Sequence, residues 1–200
     1  MKLLTAIVLF SIFLVGCGYD LVSQNNHYPK VKVRKKIPYS ETVKIGSKKS
    51  MPLCFDIYEP DCNSIVYRPL VITLYGGAFV VGSRNNSDMR AYCKNLAQCG
   101  YRAVTIDYST MKLRCLSSRN LIRTAYMAAQ DLSTAIRFFK ANYYEYGIDT
   151  TNIFLLGSSS GSIVILHEMF MDNDERPMEI FEEPYLGELH SKGDTVLLHH

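Results

Sequence analysis

The chain has no internal repeat, no low-complexity tract and no large surplus of charge of either sign. Without a repeat it cannot be a solenoid or a propeller, whose units bury a core only by stacking on similar neighbours. A net charge of +3, with the basic residues not gathered on one helix, makes no case for nucleic acid as a partner. Neither Cys-x-x-Cys nor His-x-x-x-His spacing occurs, so the usual zinc patterns are missing and no metal site is expected. The main apolar run, Leu3 to Val15, is too short to cross a bilayer. What remains is globular: 200 residues, 48% hydrophobic and 20% charged, suit one domain of ordinary size.

The first residues read as a processing signal. Lys2 supplies a positive charge ahead of the Leu3–Val15 run, which has the length of a signal-peptide core. The run ends in Leu14-Val15-Gly16-Cys17, which resembles the lipobox of bacterial lipoproteins, in which the cysteine carries the lipid and becomes the mature N-terminus. The resemblance implies lipidation at Cys17, with residues 1–16 removed. The protein would then be exported and membrane-anchored through lipid in a bacterial cell envelope. Residues 17–37 are polar and basic, with Lys30, Lys32, Arg34, Lys35 and Lys36, and fit a tether. The alternation Lys30-Val31-Lys32-Val33-Arg34 also fits the start of an edge strand. Cys54, Cys62, Cys93, Cys99 and Cys115 leave an odd number for pairing, and Cys54 and Cys93 sit where buried thiols are common.

From residue 38 onward strands alternate with helices. Tyr39–Gly46 and Met51–Tyr58 read as strands, and Leu70–Leu74 as a strand buried on both faces. Asp88–Gln98 has helical spacing and stops at Gly100, and Tyr101–Ile106 follows as a strand. Ser118–Asn142 is a long amphipathic helix, and Ile153–Leu156 is a further strand. This order implies crossover units, a mostly parallel sheet and helices on both faces.

Two turns carry the chemistry. Gly157-Ser158-Ser159-Ser160-Gly161 reads Gly-x-Ser-x-Gly between an apolar strand and an apolar helix, the setting of a nucleophile elbow. The flanking glycines let helix and strand approach closely, and Ser159 is raised to the sheet's carboxyl edge with the Ser160 amide beside it. Tyr75-Gly76-Gly77-Ala78-Phe79 closes the central strand at the same edge, where sites form in open α/β sheets. Amides from both turns suit a developing oxyanion, each donor being worth about 3 kcal/mol.

Residues 68–168 resemble the α/β-hydrolase carboxylesterases and lipases with a His-Gly-Gly-Gly-Phe type loop. Tyr75–Phe79 with Gly82-Ser83, Gly100-Tyr101, Asp107-Tyr108, Asp131 with Ala135–Phe138, Tyr146–Asp149 and Gly157–Gly161 come in that family's order. The resemblance implies an α/β-hydrolase fold, represented by its N-terminal half (residues 38–200). It also implies hydrolysis of carboxylic esters with Ser159 as nucleophile and Gly77, Ala78 and Ser160 as oxyanion amides. A small-molecule ester is then the partner and no cofactor is needed. Asp107, Asp131 and Asp149 are expected to be structural.

The chain departs from that pattern at Tyr75 in place of His, Ser109 in place of Arg, and Ser160 and Ser162 in place of small residues. The acid and histidine that would complete a triad are not identifiable. Asp172, Asp174, Asp194, His190, His199 and His200 are the candidates, and His167 lies about 12 Å along the helix from the elbow. A serine without a base is a poor nucleophile, so an inactive lipoprotein fragment, a binding remnant and a serine peptidase of the same fold stand as alternatives.

Overall fold

The computed structural model describes residues 28–62, 67–172, 175 and 178–181. Cys17, the signal segment, Asp174, Asp194, His190, His199 and His200 lie outside the described residues. A five-stranded sheet in the order β1-β2-β4-β3-β5 organises the chain. Its strands are β1 (Val31–Val43), β2 (Ser50–Pro60), β3 (Arg68–Leu74), β4 (Arg102–Ile106) and β5 (Ile148–Gly157). Between and after them come α1 (Ser87–Gln98), α2 (Ser118–Ala141), the single turns α3 (Tyr143–Tyr146) and α5 (Met178–Phe181), and α4 (Ser160–Phe170).

The sheet is mixed rather than mostly parallel. β3 pairs in parallel with β4 and β5, but β2 runs antiparallel to both β1 and β4. The short Lys44–Lys49 connection accounts for the first reversal, since parallel neighbours need a crossover of about a dozen residues or more. β1 begins at Val31, so the last residues of the expected tether are strand. A register shift between Arg34 and Ile37, with Lys36 at φ 58°, bends the strand there, and the Lys36 amide donates to Asp56 Oδ1 at 2.8 Å. Arg34 is held by Glu59 at 2.9 Å and lies 4.9 Å from the Tyr146 ring centre.

Alternation along the strands sends side chains to two helical layers. Phe55, Ile57, Leu70, Ile72, Leu74, Val104 and Ile106 join the main core with Ala128, Leu132, Ala135 and Phe139 of α2. Tyr58 and Ala103 instead pack with Cys93 and Ala97 of α1. Cys93 is fully buried, its sulfur 3.3 Å from Thr73 Oγ1, and burial pushes the thiol up to about 12. Asn86 caps α1 by accepting from Asp88 and Met89 amides, and Ser117 caps α2 through the Asn120 amide.

The strand order places the candidate site. From β3 the chain moves to β4 on the side toward β2, then crosses back over β3 to β5 at the opposite edge. The loops leaving β3 and β5 therefore start adjacent and diverge toward opposite faces, which opens a crevice at the carboxyl edge. Leu74 pairs with Gly157, so the two strands end abreast.

Candidate active site

Ser159 sits between β5 and α4 at φ 50°, ψ −117° and is exposed. A non-glycine residue tolerates this backbone only where its surroundings over-determine it, and here they do. A Cβ on Gly157 would stand 2.6 Å from the Gly161 carbonyl carbon and the Ser162 nitrogen. A Cβ on Gly161 would stand 2.4 Å from the Leu74 oxygen and 2.8 Å from the Tyr75 oxygen. Both elbow glycines are thus required by close backbone approach, as their spacing led one to expect. The Ser158 amide donates to Leu74 O at 3.1 Å, and the Gly161 and Ser162 amides donate to Ser158 O and Ser159 O at 2.9 Å each.

Gly76 lies directly against this turn: its Cβ would meet Ser158 O at 2.9 Å and Ser159 Cβ at 3.0 Å. The loop that follows has positive φ at Gly77 (147°), Ala78 (51°), Phe79 (61°) and Gly82 (96°). Val80 and Val81 amides both donate to Gly77 O at 3.0 Å, and Met111 N donates to Phe79 O at 2.8 Å. Ala78 faces solvent while Phe79 is buried. The loop's far end is fastened by Arg84, whose guanidinium bonds Asp56 Oδ1 at 2.9 Å and also pairs with Asp107. Gly77, Ala78, Ser159 and Ser160 therefore sit on two adjoining turns at one sheet edge.

The remaining aspartates have structural partners. Asp107 pairs with Arg84, Asp131 accepts the Ser109 amide at 2.7 Å, and Asp149 accepts from Thr151 and Asn152, which holds its carboxyl below the usual range. His167 lies in α4 and lines an apolar pocket of about 220 Å³ with Phe79, Leu121, Ala125, Ile163 and Met171. Burial lowers its pKa, which keeps the ring neutral. Asp172 is exposed after α4.

The departures from the family pattern have local answers. Ser162 Oγ donates to Gly157 O at 2.8 Å, bracing the elbow. Tyr75 is buried and stacks on Tyr108, with ring centres 4.5 Å apart and planes at 22°. Ser160 Oγ lies 3.3 Å from the Tyr108 hydroxyl. Tyr108 is the residue that sequence reading passed over. It stands in the quoted Asp107-Tyr108 pair, but nothing local signals a contact across 33 residues of chain.

The BD-FAE family model matches residues 55–190. Among solved structures, the chain is similar to the native form of the esterase Est2 of the Planctomycetes species Thermogutta terrifontis. Identity there is 22% and the TM-score 0.53, over 69% of this chain and 44% of that one. The propionate-bound form gives 22% and 0.53 over 69% and 45%, and the sarin-phosphonylated form 21% and 0.53 over 69% and 44%. The chain spans less than half the length of these structures, and the likeness establishes the fold. No curated protein matches.

Proposed function

We propose that this chain, which belongs to the BD-FAE family of esterase-type α/β-hydrolases, hydrolyses small carboxylic esters with Ser159 as its nucleophile. The observation that carries the reading is the strained, exposed Ser159 at φ 50°, ψ −117°, pressed against Gly76 of the neighbouring loop. In this scheme Ser159 Oγ attacks the acyl carbon and the alcohol leaves. Water then releases the acid from the acyl-enzyme. The negative charge that develops on the carbonyl oxygen is met by the amides of Gly77, Ala78 and Ser160. A base must take the hydroxyl proton, and the candidates for it are the tail histidines His190, His199 and His200. We further propose that lipidation at Cys17 anchors the protein in the membrane of a bacterial cell envelope, on the strength of Leu14-Val15-Gly16-Cys17. Mass spectrometry should find a lipid-modified Cys17 as the mature N-terminus, and an unmodified N-terminus elsewhere would reject it.

Turnover of p-nitrophenyl acetate tests the chemistry. Ser159→Ala should abolish it, whereas Ser158→Ala should leave it nearly unchanged, because that side chain does not occupy the nucleophile's position. Turnover that survives Ser159→Ala, or none in the unmodified chain, would contradict the reading. A His190→Ala variant with full turnover would move the base role to His199 or His200.

A further inference from the structure

The Tyr108 hydroxyl joins the two turns of the site. It donates to the Tyr75 carbonyl at 2.5 Å, which opens the glycine-rich loop, and stands 3.3 Å from Ser160 Oγ at the start of α4. A phenol has one proton to give. With that proton on Tyr75 O, the Ser160 hydroxyl becomes the donor to Tyr108, and a directed chain runs from elbow through phenol to loop. The same carbonyl is confined from the other side, where a Cβ on Gly161 would come within 2.8 Å of it. The ring itself is fixed by stacking on Tyr75 and by the edge contact with Phe79, whose centre is 6.3 Å away. Tyr108 is 3% exposed, and burial pushes the phenol up to about 12, so the donor proton is kept at any working pH.

We propose that Tyr108 is a positioning residue for the proposed hydrolysis: it pins the glycine-rich loop to the elbow and thereby sets the spacing between the Gly77 and Ala78 amides and the Ser160 amide. The inference rests on the esterase reading given above. Its physical basis is that oxyanion donors act only when held in place before the charge forms. Without the phenolic hydroxyl, the buried Tyr75 carbonyl loses its donor and the loop is free to drift from the elbow.

Labelling of the full chain by a fluorophosphonate probe, resolved into reversible affinity (KI) and maximal rate (kinact), tests this. Tyr108→Phe keeps the ring and removes only the hydroxyl. It should lower kinact about tenfold or more while KI stays unchanged, as expected for a misplaced donor set. Ser160→Ala, which cuts only the arm to the elbow, should lower kinact about threefold. It carries the test alone if Tyr108→Phe does not fold. An unchanged kinact in either folded variant overturns the inference. So does a fall confined to the labelled fraction, because that is the signature of a merely structural role. A wild-type chain that takes no label at Ser159 refutes the esterase reading itself, and this inference with it.

Discussion

At the scale of single residues, the site rests on atoms that have no room to move. Gly161 shows this most directly, since a methyl group there would press on two backbone carbonyls rather than on side chains that can turn away. Gly161→Ala should cost about 3 kcal/mol, the upper range for overpacking, and should depress activity at least as much as stability. A melting temperature within a degree of wild type would show that the junction gives more readily than the geometry implies. These glycines and Ser159 were legible in the sequence because the elbow is a local pattern with a steric reason for every fixed position. Tyr108 was not, because its meaning depends on the Tyr75 carbonyl, which lies just past the end of β3 and far away in sequence. Ser160 and Ser162 looked like departures for the same reason: their hydroxyl partners come from the fold.

At the scale of elements, Arg84 fastens the loop between β3 and α1 to the sheet through Asp56 and Asp107. Asp56 is almost wholly buried, so Arg84→Ala leaves an uncompensated carboxylate and should cost about 3 kcal/mol in chemical denaturation. A loss below about 0.5 kcal/mol would place this pair among ordinary surface ion pairs. Glu168 on α4 is a different case. Loss of hydration pushes its carboxyl from the ordinary 4.5 up to about 7, against a Ser133 hydrogen bond and the Arg137 charge. The folded chain holds that proton more tightly than the unfolded chain does. Its contribution to stability is therefore complete below pH 4.5 and fades as pH rises to about 7. His167, lowered by burial from 6.5, has the opposite sign and loses its contribution as pH falls. Glu168→Gln should remove the alkaline-going loss between pH 4.5 and 7 and leave the His167 component in place. An identical pH profile of melting temperature would contradict the assignment. Most elements were readable from periodicity, whereas the start of β1 was legible only as one of two readings. The Lys30–Arg34 alternation fits the edge strand that forms, but so basic a stretch fits a tether equally well, and what holds Arg34 in the strand, Glu59 on β2 and the Tyr146 ring, is distant in sequence.

At the scale of the whole molecule, the alternation of strands and helices made the fold class legible, while the reversed β2 came from a hairpin that periodicity cannot orient. Among the described residues β5 pairs only with β3. Phe154 and Leu156 on β5, with Leu166, Met169 and Phe170 on α4, are exposed. An open edge with apolar flanks promotes association. The isolated 200-residue chain should therefore sediment with a concentration-dependent mass, reduced by Phe154→Lys with Leu156→Lys, and a strictly monomeric wild type would contradict this. The central claim needs the sheet intact, because Ser159 and the glycine-rich loop meet only when β3 and β5 lie side by side. Peptide mapping after incubation of the folded chain with a fluorophosphonate tests it most directly. One adduct on the peptide bearing Ser159, absent from the Ser159→Ala variant and from denatured protein, is the expected result. No adduct on the folded chain, or one that persists in Ser159→Ala, would contradict it.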